Sequence, residues 1–192
     1  MSVDLSSVPR GFEYRPNFVP ADEERALLDA IGRLEFSKVE MRGAVARRRT
    51  AHYGWTYGYE RRRAQPGEPI PDFLLALRQR AADWAGVPAD AFAEALITDY
   101  PQGAPIGWHR DAPQYAIVAG VSLLSACRMR FRRYDSPGAV SGPRPRRTAT
   151  HELQLEPRSA YLMTGASRQA YEHHIPAVSS LRYSITFRTL RG

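Results

Sequence analysis

The sequence predicts an α+β fold that is mainly β, a jelly roll backed by N-terminal helices. Two segments with helical apolar spacing lie ahead of residue 95, whereas from Leu96 onward short apolar or alternating runs are separated by Pro and Gly. The 192 residues, 43% of them hydrophobic, suffice for a substantial core in one domain. We read 1–192 as a single domain, with helices and a lid in 1–95 and the β-core in 96–192.

Taken in order, Pro20 to Arg33 reads as a helix: Asp22, Glu23 and Glu24 fill its first turn, Leu27, Leu28 and Ile31 share a face, and Gly32 closes it. Pro71 to Ala85 reads as a second, opened by Pro71 and Asp72, with Phe73, Leu74, Leu77, Ala81 and Trp84 as a core stripe before Gly86. Strands are expected over Leu96 to Tyr100, Ala116 to Leu124, Arg128 to Arg133, His151 to Leu155 and Ser159 to Thr164, and around His173. Tyr134 to Arg147, rich in Pro, Gly, Ser and Arg, is expected to be a mobile connection. The last strand, Leu181 to Arg188, alternates strictly, with Tyr183, Ile185 and Phe187 on one face and Arg182, Ser184, Thr186 and Arg188 on the other. That polar face is either solvated at a sheet edge or turned into a pocket.

An ordered set of polar residues favours the pocket. On an extended strand, side chains at i and i+2 face the same way, so His109 and Asp111 can aim an imidazole and a carboxylate at one point. One more histidine completes a metal face; His173 and His174, being adjacent, point to opposite sides of a strand. Two His and one carboxylate leave coordination sites open, which suits non-haem Fe(II). Arg182 and Arg188 share a face at about 20 Å along the backbone, and their long side chains can converge on the ends of a small dicarboxylate. Each short motif arises easily by chance, so the weight rests on their order.

The net charge of +7 favours a polyanionic partner. Basic runs at Arg47 to Arg49, Arg61 to Arg63 and Arg144 to Arg147 read as loops over a pocket or as solvated faces. Tyr53, Trp55, Tyr57 and Tyr59 lie between the first two runs and could stack on bases while arginines hold phosphates. The lone Cys127 cannot form an internal disulfide and reads as a small buried residue. With no long apolar run and no signal-like N-terminus, the expectation is a cytoplasmic monomer without membrane contact. His52 and His151 read as structural or surface residues.

The stretches Asp99-Tyr100-Pro101-Gln102-Gly103-Ala104, Trp108-His109-Arg110-Asp111, Tyr171-Glu172-His173-His174-Ile175-Pro176 and Arg182 to Arg188, with a weaker echo in Arg48 to Gly54, resemble the AlkB family of Fe(II)/2-oxoglutarate dioxygenases. The resemblance implies a double-stranded β-helix that uses Fe(II), 2-oxoglutarate and O2. It implies oxidative dealkylation of alkylated or bridged bases in DNA or RNA, with succinate, CO2 and an aldehyde as products, as in DNA repair. It assigns the metal to His109, Asp111 and His173, selecting His173 over His174 because it stands two residues before Ile175. It assigns the near carboxylate of the cosubstrate to Arg188, the far one to Arg182, and flanking contacts to Tyr100 and Thr98. Substrate contacts are expected from Arg49, Tyr53, Trp55, Tyr57, Arg110 and Tyr115. Thr98 stands where well-known members carry Asn, and Pro113 where they carry an acid, so alkylated bases in general are expected rather than one lesion. The alternatives are a 2-oxoglutarate-dependent hydroxylase or demethylase of a protein or small molecule, or a nucleic-acid-binding module without activity.

Overall fold

The computed structural model describes residues 8–41, 43–58, 63–134 and 150–191, without the side chains of 41, 44, 56–58 and 63–66. The expectations for residues 135–149, Arg61 and Arg62, and for the side chain of Tyr57, lie outside that description. In chain order the elements are β1 (Phe12–Arg15), α1 (Ala21–Ile31), β2 (Ser37–Met41), β3 (Ala44–Gly58), β4 (Arg63–Pro66), α2 (Leu75–Ala85), β5 (Phe92–Tyr100), β6 (Ile106–His109), β7 (Tyr115–Leu123), β8 (Cys127–Arg133), β9 (His151–Leu155), β10 (Ala160–Met163), α3 (Gly165–Gln169), β11 (Tyr171–Ile175) and β12 (Arg182–Leu190).

Among the described residues the strands form two antiparallel sheets. The larger runs β1-β10-β7-β12-β5-β3-β2, with β4 on β3; the smaller runs β6-β11-β8-β9. The amphipathic β12 sits at the centre of the larger sheet, between β7 and β5. Its apolar residues Ile185 and Phe187 are fully buried with Leu27, Ile31, Leu74, Leu77 and Ala81 of the helical layer. A second core, with Phe12, Met129, Phe131, Leu153, Leu155 and Met163, fills the space between the sheets. The architecture is therefore helices, large sheet, small sheet, as a jelly roll backed by helices requires.

Helix α1 starts after Pro20, which already has φ −59°, carries its three acids where the N-terminal dipole favours them, and gives way at Gly32. The second predicted helix opens as a 3-10 turn over Asp72–Leu74 and ends at Gly86, whose φ of 69° closes the helix in the left-handed region.

Two expectations are corrected. Arg47 to Arg49 are not in a loop but inside the 15-residue β3, which pairs with β5 from Arg49↔Asp99 to Gly54↔Glu94. The division at residue 95 falls inside β5, and β1, β2 and β3, which precede it, belong to the sheet that β12 centres. Both arise because the cleft-side face of β3 carries Arg48, Thr50 and His52, so the strand shows no apolar alternation. The short β1, β2, β4 and α3 were likewise not anticipated.

Candidate active site

The polar face of β12 turns into the gap between the sheets. There Arg182, Ser184, Thr186 and Arg188 lie beside their register partners on β5, Tyr100, Thr98, Leu96 and Glu94. Thr98, Tyr100, Arg182, Ser184, Thr186 and Arg188 border an inner pocket of about 460 Å³, with His109, Asp111, His173 and Tyr161 on its other walls. A wider outer cleft, about 1340 Å³, shares His109, Asp111 and Arg188 with it and opens toward Arg48, Thr50, His52, Glu94, Arg110 and Tyr115. His109 and Asp111 therefore stand where the two spaces meet.

The small sheet brings the histidines together: His109 on β6 and His173 on β11 are register partners, with ring centroids 4.2 Å apart. Strand β6 ends at His109, so Asp111 arrives from the following segment rather than from a continuing strand, yet its Oδ2 lies 3.8 Å from His173 Nε2. His174 faces the opposite side of the sheet, stacked on Trp108 at 5.0 Å, and its Nδ1 donates to the Ile106 carbonyl at 2.7 Å. His109 donates from Nδ1 to the Gly107 carbonyl at 2.8 Å, which leaves the Nε2 lone pair available.

Arg188 donates to Asp111 Oδ1 from Nε at 3.0 Å and approaches it with Nη2 at 2.8 Å, while its Nη1 lies 3.4 Å from Glu94 Oε2. Burial opposes the Arg188 charge, but Asp111 and Glu94 hold its pKa above the ordinary value. Burial likewise works against the Asp111 carboxylate, and Arg188 followed by the two histidines keeps it well below the usual range. Burial, reinforced by His109, pushes His173 down to about 3, and burial also lowers His109. Two neutral imidazoles and an ionised carboxylate are the protonation states a divalent cation needs.

Arg182 is 1% exposed. Its Nε donates to Ser122 Oγ at 3.2 Å and its guanidinium lies 5.0 Å from the Tyr100 ring centre, but Nη1 is buried without a hydrogen-bond partner among the described residues. A buried cation left in this state marks a place for an anion.

The expected substrate residues divide by the two-residue period of β3. Arg48, Thr50 and His52 border the outer cleft. Arg49 and Tyr53 turn to the other face, where Arg49 hydrogen bonds Asp99 at 2.8 Å and Tyr53 packs against the helical core. Trp55 shares that face, is exposed, and does not border the cleft. Of β3 it is thus Arg48, Thr50 and His52, and not Arg49, Tyr53 or Trp55, that border the cleft. Arg110 and Tyr115 do border it: Arg110 lies 3.6 Å from the Tyr134 ring centre, and Tyr115 lies under Arg188 at 5.3 Å.

Sequence reasoning missed Tyr161, Arg168, Glu94 and the cleft-side place of His52. Tyr161 lies over Gly120, where a Cβ would stand 2.2 Å from the ring; an isolated glycine inside a strand was the available signal. Burial and the Asp111 charge raise the Tyr161 phenol, keeping it a neutral donor. Arg168, 3% exposed, donates to the Ala112 carbonyl and adds positive charge behind Asp111; no sequence feature pointed to it.

The profile described as the 2OG-Fe(II) oxygenase superfamily matches residues 11–188. The chain belongs to this superfamily. Its members are dioxygenases that use Fe(II), 2-oxoglutarate and O2. The AlkB resemblance is upheld by two curated Arabidopsis thaliana relatives of this oxygenase. "Alkylated DNA repair protein ALKBH8 homolog" is 28% identical over 92% of this chain and 57% of its own length. "RNA demethylase ALKBH9B" is 26% identical over 74% and 30%. The chain thus spans little more than half of the first relative and under a third of the second. Among solved structures, OsALKBH1 superposes with a TM-score of 0.67 at 14% identity over 95% of this chain and 99% of the other. A Pseudomonas putida prolyl-4-hydroxylase gives 0.59 at 17% over 98% and 96%. These two superpositions show the shared jelly-roll fold.

The residues present fit the oxygenase cofactors. Asp111 Oδ2 is buried without a hydrogen-bond partner among the described residues and faces neutral His173, so a cation there would satisfy an otherwise orphaned acceptor. As they stand the donors do not form a ready cage among the described residues; Arg188 holds the carboxylate by its other oxygen. His109, Asp111 and His173 could hold Fe(II), and Arg182 could take a carboxylate of 2-oxoglutarate.

Proposed function

We propose that this oxygenase removes alkyl or bridged adducts from bases in DNA or RNA by Fe(II)- and 2-oxoglutarate-dependent oxidation, releasing succinate, CO2 and an aldehyde. The observation that carries the reading is Arg182, whose Nη1 is buried without a hydrogen-bond partner among the described residues, in an inner pocket that also contains His109, Asp111 and His173. A dicarboxylate fits such a pocket, with one end on Arg182 and the other near Arg188 and the metal.

In this reading His109, Asp111 and His173 hold the metal, and Tyr100 and Thr98 flank the cosubstrate beside Arg182. The bound iron, with 2-oxoglutarate and O2, supplies the oxidation of the alkyl carbon. Tyr161 lends a neutral hydroxyl to the inner pocket, while Leu96 and Ile106 add apolar surface at its junction with the cleft. The outer cleft receives the base, which must leave its stack to reach the iron. Arg48 and Arg110 border that cleft and are placed to meet the phosphates. The names of the two Arabidopsis relatives, one a DNA repair protein and one an RNA demethylase, support a nucleic-acid substrate. A monomer working in the cytoplasm completes the proposal.

The test adds Fe(II) and 2-oxoglutarate under nitrogen, follows the visible charge-transfer band, then admits oxygen with lesion-bearing single- and double-stranded oligonucleotides. Succinate together with loss of the alkyl mass is expected. Succinate without any change in the oligonucleotides would favour a protein or small-molecule substrate, and no succinate under any condition would overturn the enzyme reading for this chain.

A further inference from the structure

Of the three proposed metal ligands, Asp111 has the least support from the sheets. His109 and His173 are register partners in the ladder of β6 and β11, but β6 ends at His109 and Asp111 sits in the segment that leads to β7. That segment is strapped to α3 instead. Arg168 donates from Nη2 to the Ala112 carbonyl, and Arg110 donates from Nη1 to the Gln169 carbonyl at 3.1 Å. The residues on either side of Asp111 are therefore tied to two consecutive residues of one short helix.

The helix is itself pinned. Thr164 and Ser167 form a capping box, Ser167 Oγ donates to the Gly11 carbonyl at 2.9 Å, and the Ser167 N–H donates to the Arg10 carbonyl at 2.9 Å. Only Ala170 separates α3 from β11, so the strap joins the carboxylate segment to the unit that presents His173. Arg168 is 3% exposed, and its Nε has no hydrogen-bond partner among the described residues. Burial opposes its charge, and Asp111 favours it. A buried guanidinium with so little pairing is a poor device for stabilising the fold as such.

We propose that Arg168 is a positioning residue: from α3 it holds the Ala112 carbonyl and so sets where the Asp111 carboxylate meets the two histidines. The inference rests on the assignment of the metal to His109, Asp111 and His173 and deepens it. Arg188 fixes Oδ1 of Asp111 from β12, and alone it would draw the carboxylate toward the large sheet. A main chain held at Ala112 keeps Oδ2 beside His173, 3.8 Å from Nε2. Arg110 is exposed, so its half of the strap is the weaker one.

The alternative is that Arg168 only fills space behind Asp111. Cobalt(II) titration under nitrogen, read by visible absorption, separates the two without turnover. Arg168→Met, an unbranched side chain without a donor, should leave the metal-free protein folded in urea titrations. It should weaken Co(II) binding about tenfold to a hundredfold, the scale for groups that orient a metal ligand, and shift the cobalt band. Arg168→Lys, which keeps the charge and a donor, should recover most of that loss. Ser167→Ala, which loosens α3 at Gly11, should weaken binding in the same direction by less, and it carries the test if Arg168→Met does not fold. Leu77→Ala, in the helical layer, is the control: it should lower stability and leave the Co(II) affinity of the folded protein unchanged.

Parent-like affinity and band in Arg168→Met, or in Ser167→Ala where it carries the test, would overturn the proposal. So would no recovery in Arg168→Lys, or a loss in Leu77→Ala as large as that in Arg168→Met. If the parent binds no Co(II), or Asp111→Ala binds it as tightly as the parent, the metal assignment itself has failed and takes this inference with it.

Discussion

Asp111 and His173 face each other across the inner pocket with Oδ2 and Nε2 3.8 Å apart, while Arg188 fixes the other carboxylate oxygen at 2.8 Å. One oxygen is spoken for and the other is buried without a donor among the described residues, so the pair is arranged around something that accepts electron density from both.

If that something is Fe(II), His173→Ala should abolish metal binding and succinate formation. His174→Ala should retain both, because His174 turns to Trp108 on the opposite side of the small sheet. Cobalt(II) absorption under nitrogen reads the metal without turnover. Retained binding in His173→Ala with loss in His174→Ala would reverse the ligand assignment.

Arg182→Met should separate ligand binding from stability. The change removes a buried cation that has no acid partner among the described residues, so urea unfolding of the metal-free protein should show equal or greater stability. The 2-oxoglutarate concentration needed for the charge-transfer band should rise about tenfold or more, since a charge-assisted hydrogen bond is lost. An unchanged requirement would remove Arg182 from the cosubstrate site.

The neighbours Arg48 and Arg49 should behave differently because β3 turns them to opposite faces. Arg48→Ala should lower the salt dependence of oligonucleotide binding by roughly one counterion. Arg49→Ala should leave that slope alone and instead destabilise the fold by about 1–3 kcal/mol, because it strips a partner from the buried Asp99. Equal salt slopes for parent and Arg48→Ala would make Arg48 a spectator.

Glu94 should mark the acid limb of stability. Burial raises its carboxyl, but Arg188, His52 and Tyr115 together bring it below the ordinary 4.5. The unfolded chain then binds the proton more readily, so this contribution is present above pH 4.5 and is lost as pH falls through the lower folded value. Glu94→Gln should therefore lose less stability than the parent between pH 4.5 and the acid transition in urea titrations. Parallel curves would mean that Glu94 is not held ionised by its neighbours.

The last strand was legible in the sequence because its apolar partner is the helical core: the alternation of Tyr183, Ile185 and Phe187 with Arg182, Ser184, Thr186 and Arg188 follows from the pleat alone. His173 could be distinguished from His174 only by resemblance, since adjacent residues on a strand are equivalent until one face is known. Strand β3 was hidden for the opposite reason: Arg48, Thr50 and His52 border the outer cleft rather than the core, so the strand carries no apolar alternation to read.

What the sequence by itself determined is local: where the helices start and stop, which strand is amphipathic, and which donors recur in the family's order. Those follow from backbone dihedrals, side-chain period and residue chemistry, which act over a few residues. The tertiary structure decided which polar residues meet. Glu94 joins His52 and Arg188 only because β5 is flanked by β3 and β12, and Tyr161 enters the pocket only because β10 pairs with β7 across Gly120. Strand order is set by the packing of two sheets and a helical layer around shared cores, a condition on the whole chain that no short stretch of sequence contains.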